Sequence, residues 1–269
     1  MFTGPAADAV QTTLAIHRLE GWRPEDNQVD ALYGLVGGEV SFTDYLGSFR
    51  SRYPPPQRRR RRFRIRRPVP YFVPGTTLLR NEFGATSTQM LTDLEFVATA
   101  GRMVLWLHRP TGPACDDQLD TRVIHHHLFR DVYAWAGDYR TTELRRGAQG
   151  FASQSTIAAR MAMLNQSIRT LAADGAAHDT PRLAYELARI YAEYNHIHPF
   201  REGNGRTGAL VVHALAQSCG RRLDLTTTTR EQWYAAAADS MPFRRDGKAS
   251  HRPFLYLLGP AVTADFDAV

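Results

Sequence analysis

The chain has 269 residues, 43% hydrophobic and 22% charged, a composition that suits one or two globular domains and excludes a disordered or low-complexity polymer. It contains no run near the roughly 20 apolar residues of a membrane span, no secretory signal at Met1 to Val10, and only two cysteines, Cys115 and Cys219, too few for a disulfide framework or a cysteine-built zinc site; a reducing cytoplasm is the expected location. The net charge of +6 is local, because residues 58–67 read RRRRRFRIRR and removing those eight charges leaves −2.

Residues 1–53 read as a small helical unit. A first helix carrying Val10, Thr13, Leu14 and His17 is predicted to end at Gly21. Val29, Leu32, Tyr33 and Val36 fall at i, i+3, i+4 and i+7 of a second, stopped by Gly37-Gly38. Ser41 with Asp44 resembles a capping box opening a third, which carries Tyr45, Leu46 and Phe49, and Val40 is expected to staple onto Tyr45.

Residues 54–74 begin with Pro54-Pro55-Pro56, include the arginine run and read as an extended linker. A basic segment also binds nucleic acid through phosphates, but no folded reader motif accompanies it, so the linker reading is preferred. Residues 75–269 read as one mainly α domain. Leu94, Val97, Ala98 and the stretch 103–107 keep helical spacing, as do Ile124, Leu128, Val132 and Trp135 before Gly137. Tyr139 to Gln154, with Gly147 and Gly150 between short extended pieces, predicts a β-hairpin. On a helix His125, His126 and His127 point three ways, which favours packing and solvation over metal binding.

The informative stretch is residues 195–215, NHIHPFREGNGRTGALVVHAL. Leu183, Leu187, Ile190, Tyr191, Tyr194 and Ile197 trace a helix that Pro199 ends at His198. Leu210, Val211, Ala214, Leu215 and Cys219 trace the next, closed by Gly220. Gly203-Asn204-Gly205 therefore opens a helix, where unpaired N–H groups and the positive dipole end form an anion cradle. Arg206 adds a positive charge, and Glu202 a carboxylate suited to Mg²⁺ bridging phosphate oxygens. His198 is suited to taking a proton from a hydroxyl near neutral pH. GNGRTG at 203–208 also matches a dinucleotide-binding string, but a helix rather than a strand precedes it, which rules that reading out.

HPFREGNGR at 198–206 resembles the signature of Fic-domain proteins, H-P-F-x-[D/E]-G-N-G-R-x-x-R, over nine consecutive positions. Residues 75–95 and 125–140 resemble the family's first helical segments, and the hairpin near 143–154 falls where the family has its target-docking flap. The resemblance implies a mainly α, Fic-type helical bundle with a small β-hairpin flap. It implies AMPylation: a protein adenylyltransferase passing AMP from ATP to a Tyr, Thr or Ser hydroxyl of a target protein, with Mg²⁺ as cofactor. It makes His198 the general base and Glu202 the Mg²⁺ ligand. Gly203, Asn204 and Gly205 become the anion hole, Arg206 a phosphate contact and Phe200 the loop's buried anchor. The signature's last arginine is here Ala209. Losing one charge-assisted contact costs about 1.5–3 kcal/mol, so transfer of a phosphate or another nucleotide, or a degenerate nucleotide- or nucleic-acid-binding role, stays open.

HRLEG at 17–21 resembles the antitoxins of class I Fic systems, whose inhibitory motif is [S/T]-x-x-x-E-[G/N]. Glu20-Gly21 match its end, and Ile16 stands at the Ser/Thr position. This implies a small helical antitoxin-like unit preceding the catalytic domain, with Glu20 reaching the phosphate cradle and Arg206 as its expected partner. Removal of residues 1–53 is then expected to raise activity.

Overall fold

The structure, a computed structural model, describes residues 4–53, 70–109, 119–147 and 149–264; the arginine run at 58–67 and Cys115 lie outside them. The architecture is mainly α, in two compact units that cut the chain differently from the expected segments 1–53 and 75–269. The first takes the described residues of 1–10, 24–109 and 126–136, and the second those of 11–23, 110–125 and 137–269.

In the first unit, α2 (Asp26–Val36) and α3 (Phe42–Arg50) pack on α4 (Thr88–Leu107). Leu32, Leu35, Val36, Tyr45 and Phe49 are buried there with Leu94, Val97, Ala98, Met103 and Val104. Ser41 caps α3 by accepting from the Asp44 N–H, as its spacing predicts. The expected staple does not form. Val40 is 39% exposed, while Tyr45 turns to α4, donates to the Val97 carbonyl at 3.0 Å, and lies where any side chain at Gly101 would have to be. Arg102 holds Asp131 through two bonds of 2.6 and 2.8 Å.

The second unit is built on α6 (Ile157–Asp174), α7 (Thr180–Ile197), α8 (Asn204–Ser218), α9 (Arg230–Asp239) and α10 (Arg252–Ala261). α7 packs on α6, α8 and α10, around Tyr191, Trp233 and Phe254, whose rings meet edge-on. The predicted hairpin is present as β1 (Arg145–Arg146) paired antiparallel to β2 (Gln149–Gly150). A second antiparallel pair, β3 (Arg221–Leu223) with β4 (Val262–Ala264), was not foreseen; three-residue strands carry too short an alternation to detect.

Two helices run across the division, α1 (Pro5–Leu19) and α5 (Thr121–Phe129). The helical spacing read through Val132 and Trp135 stops early, at Phe129, whose carbonyl accepts from the N–H of both Val132 and Tyr133 and turns the chain. Leu14, Ile16, Leu19 and Trp22, all in the second unit, are buried. Among the described residues no helix is long and apolar enough to cross a membrane.

Several histidines are held neutral by burial. That cause, reinforced by Arg206 at His17 and by Arg222 at His213, lowers His17 to about 3 and His213 to about 4. An unfolded histidine takes its proton near 6.5, so between that value and about 4 the unfolded chain binds more protons and stability rises with pH. Thermal melts followed by circular dichroism are expected to show a midpoint falling steeply as pH drops from 6.5 to 4. His213→Leu, which removes one buried titrating ring, is expected to flatten that slope; an unaltered slope contradicts the assignment of the acid sensitivity to these rings.

Candidate active site

The site forms where α7 ends and α8 begins, within the second unit. α7 stops as predicted, with His198 in the left-handed region (φ 48°, ψ 62°) and its N–H still bonded to the Tyr194 carbonyl. Arg140, 2% exposed, fixes this exit. Its guanidinium donates to the carbonyls of Ile197, His198, Ala152 and Thr142 at 3.2, 2.8, 2.6 and 2.7 Å, and its own N–H donates to the Pro199 carbonyl. The His198 ring stacks on Phe151, just after β2, with centroids 3.8 Å apart and planes 11° off parallel. Burial first, then the charge of Arg146 and, less, that of Arg140, lower its pKa to about 3, against the opposing hydrogen bond of the Asn195 backbone. The ring is therefore neutral at physiological pH, and its pKa lies below the value of about 7 that suits a general base, with burial in this closed site as the main cause.

The loop 199–203 is clamped from two sides. Asn204, at the start of α8, accepts from the Phe200 N–H and donates to the Phe200 carbonyl, both at 2.9 Å. His125 stacks on Phe200 at 3.8 Å. Its Nδ1 accepts from the Gly137 N–H, so Nε2 carries the proton and donates to the Glu202 carbonyl at 3.0 Å. The first histidine of the run is thus a brace for the loop, and Phe200 is fully buried as the expected anchor. The Asn204 side chain is taken up by Phe200, which leaves only its backbone for the expected anion cradle.

Gly203 precedes α8 with φ 77° and offers no capping side chain, so the N-cap leaves the first-turn donors of α8 without a side-chain acceptor. Glu202 accepts from the Gly203 N–H through Oε1 at 3.1 Å and lines the cavity in front of α8. Arg206 is 4% exposed, does not belong to that lining, and acts electrostatically on His17. Ala209 is 1% exposed in the apolar side of α8.

Glu20 reaches the same cavity. α1 ends in a Schellman turn: the Trp22 N–H bonds to the His17 carbonyl, and the Gly21 N–H to that of Arg18, with His17 and Trp22 meeting edge-on. Gly21 supplies the φ of 97° this turn requires, which sets the direction of Glu20. The Glu20 carboxylate lies against Gly205, where a Cβ on that glycine would collide with Oε1, and it accepts from the Tyr234 hydroxyl at 3.3 Å. The structure thus brings His198, Glu202, Asn204, Gly205 and Glu20 to one cavity of about 50 Å³. Sequence reasoning missed Arg140, Phe151, Tyr234 and Arg146, which lie outside the motif and carry no local pattern.

The Fic/DOC family model matches residues 117–216. A curated relative from Sinorhizobium fredii, "Probable protein adenylyltransferase y4lH", is 32% identical over 161 residues, covering 58% of this chain and 79% of the relative. "Probable protein adenylyltransferase Fic" of Escherichia coli K12 is 28% identical over 169 residues, covering 62% of this chain and 82% of the relative. Among solved structures, the BepC protein of Bartonella tribocorum with bound AMPPNP matches at 23% identity and a TM-score of 0.62, over 72% of this chain and 97% of that one.

Asn204→Asp keeps the acceptor for the Phe200 N–H and removes the donor to its buried carbonyl. Denaturant unfolding is expected to show a loss of about 1–3 kcal/mol, the cost of an unsatisfied buried group. Stability equal to the parent's would show that the clamp contributes nothing.

Proposed function

Because the chain belongs to the Fic/DOC family, we propose that it is a protein adenylyltransferase whose transfer is held off by its own Glu20. The observation that carries the reading is a neutral, rigidly stacked His198 opposite the uncapped N-terminus of α8. In the reaction an acceptor hydroxyl oxygen of a target protein attacks the α-phosphorus of ATP. The bond from that phosphorus to the bridging oxygen breaks, pyrophosphate leaves, and the hydroxyl proton passes to His198. The N–H groups at the start of α8 stabilise the developing phosphate charge without reorganisation.

Mg²⁺ fits the donor set in a restricted sense. Among the described residues no three His, Cys, Asp or Glu side chains gather into a metal cage, whereas Mg²⁺ with a nucleotide takes one or two carboxylates and completes its shell with phosphates and water. Glu202, which lines the cavity, is the residue that would hold it, and the ion would supply charge neutralisation between phosphates.

Inhibition by Glu20 is supported by volume and position. A cavity of about 50 Å³ has room for a water or two, against the several hundred a nucleotide site requires. The carboxylate lies on Gly205, where a phosphate oxygen would sit. Removing residues 1–53 would also strip buried Leu14, Ile16, Leu19 and Trp22 from the second unit, so a point substitution isolates the effect. Glu20→Gly, incubated with Mg²⁺, α-labelled ATP and a bacterial lysate, is expected to label protein about tenfold or more above the parent, a tethered competitor being present at an effective concentration on the order of millimolar. Glu20→Gly combined with His198→Ala is expected to abolish the labelling. Equal labelling by parent and Glu20→Gly would sink inhibition; labelling that survives His198→Ala, or appears only from γ-labelled ATP, would sink the transfer mechanism.

A further inference from the structure

The cavity lining contains two carboxylates, Glu20 and Glu202, and one guanidinium, that of Arg146 at the end of β1. Arg146 lies over the rings of Tyr234 and Phe151, 5.0 and 5.9 Å from their centroids, and makes no ion pair among the described residues. Tyr234 is gripped a second time by Arg230, 4.9 Å from its centroid, and this fixes the hydroxyl that donates to Glu20. The Glu20 carboxylate therefore has the first turn of α8 on one side and Tyr234 with Arg146 on the other. A carboxylate seated at a helix N-terminus marks where an anion is held.

Resting on the adenylyltransferase reading, we propose that Arg146 and Tyr234 form the second wall of the nucleotide's phosphate site, with Arg146 pairing the terminal phosphate once Glu20 has left. α8 offers no second arginine one turn further on. Its dipole amounts to about half an elementary charge, and Ala209, one turn beyond Gly205, is apolar and 1% exposed. Arg206 is buried and is not among the residues that line the cavity. The terminal phosphate carries the most charge of the three, and a guanidinium is the side chain that pairs it bidentately. Arg146 already acts electrostatically on His198, Tyr191 and Tyr234, three rings around the cavity, so its field spans the space the phosphates would fill.

The test is calorimetric binding of Mg·ATP and Mg·ADP to full-length Glu20→Gly protein, alone and with Arg146→Met, Arg146→Lys or Tyr234→Phe. Arg146 is exposed on a hairpin, and matching thermal melts would confirm that its variants fold. Arg146→Met is expected to weaken ATP about tenfold or more, the loss of one charge-assisted contact, and ADP less than about twofold. Arg146→Lys is expected to fall between, and Tyr234→Phe to weaken ATP by a smaller factor. Equal weakening of ATP and ADP, or unchanged ATP binding, overturns the assignment. Binding needs no acceptor protein, so the two readings separate. Protein that shows this ATP-over-ADP pattern yet labels nothing sinks the transferase and keeps Arg146. Protein that labels its targets while Arg146→Met leaves ATP binding intact does the reverse.

Discussion

The Arg140 guanidinium is buried and satisfied almost wholly by carbonyl oxygens, and the geometry of the site depends on it. An isolated charge in such a place is costly unless its hydrogen bonds are made. Here they are made to Ile197 and His198, at the negative end of α7, and to Ala152 and Thr142, either side of the hairpin. One side chain therefore ties the left-handed exit of α7 to the hairpin that carries Phe151, and Phe151 in turn holds the His198 ring. The His198 ring is positioned by the same contact that positions the hairpin, so neither can shift without uncovering a buried cation.

Glu20 stands at an unfavourable end of one helix and a favourable end of another. At the C-terminus of α1 its charge opposes the dipole, and at the N-terminus of α8 it complements it. The Schellman turn at Gly21 lets the local cost be met by backbone bonds while the carboxylate points across to Gly205. Ile16, at the position where the inhibitory motif has a hydroxyl, is 1% exposed, so that part of the motif serves apolar packing here. The segment 11–23 belongs to the same compact unit as the loop 199–203.

Periodicity exposed α2, α4, α7 and α8 because each buries a continuous stripe, and Pro199 and Gly203 marked the turn between the last two. The motif loop was legible because backbone chemistry at a helix entry needs particular residues in sequence. What was not legible is what reaches that loop from elsewhere. His125, 77 residues from its Glu202 partner, looked like one of three histidines on a helix, and nothing local distinguishes a buried Arg140 from a surface arginine. Val40 and Trp135 show the opposite failure, since capping and helical spacings are satisfied by the sequence while a Tyr45 contact and a turn at Phe129 decide the outcome. The unit boundary fell inside α1 because its two ends have different partners, a property of tertiary packing that composition does not record.

The partner Glu20 has in the cavity bears on how firmly it could hold the site closed. A phenol is a neutral donor, and a hydrogen bond from it at 3.3 Å is weaker than the charge-assisted pair an arginine would make. Glu202 shares the cavity, and two carboxylates in one small space repel each other. The N-terminus of α8, the Tyr234 hydroxyl and the Arg146 charge in the same cavity all act to retain Glu20, and a triphosphate carrying several charges competes for the same groups. Under the proposed inhibition, the apparent affinity for ATP is the intrinsic affinity scaled by the fraction of molecules with Glu20 withdrawn. A weakly held carboxylate makes that fraction appreciable, so closure of this kind would set a threshold in ATP binding rather than lock the enzyme off.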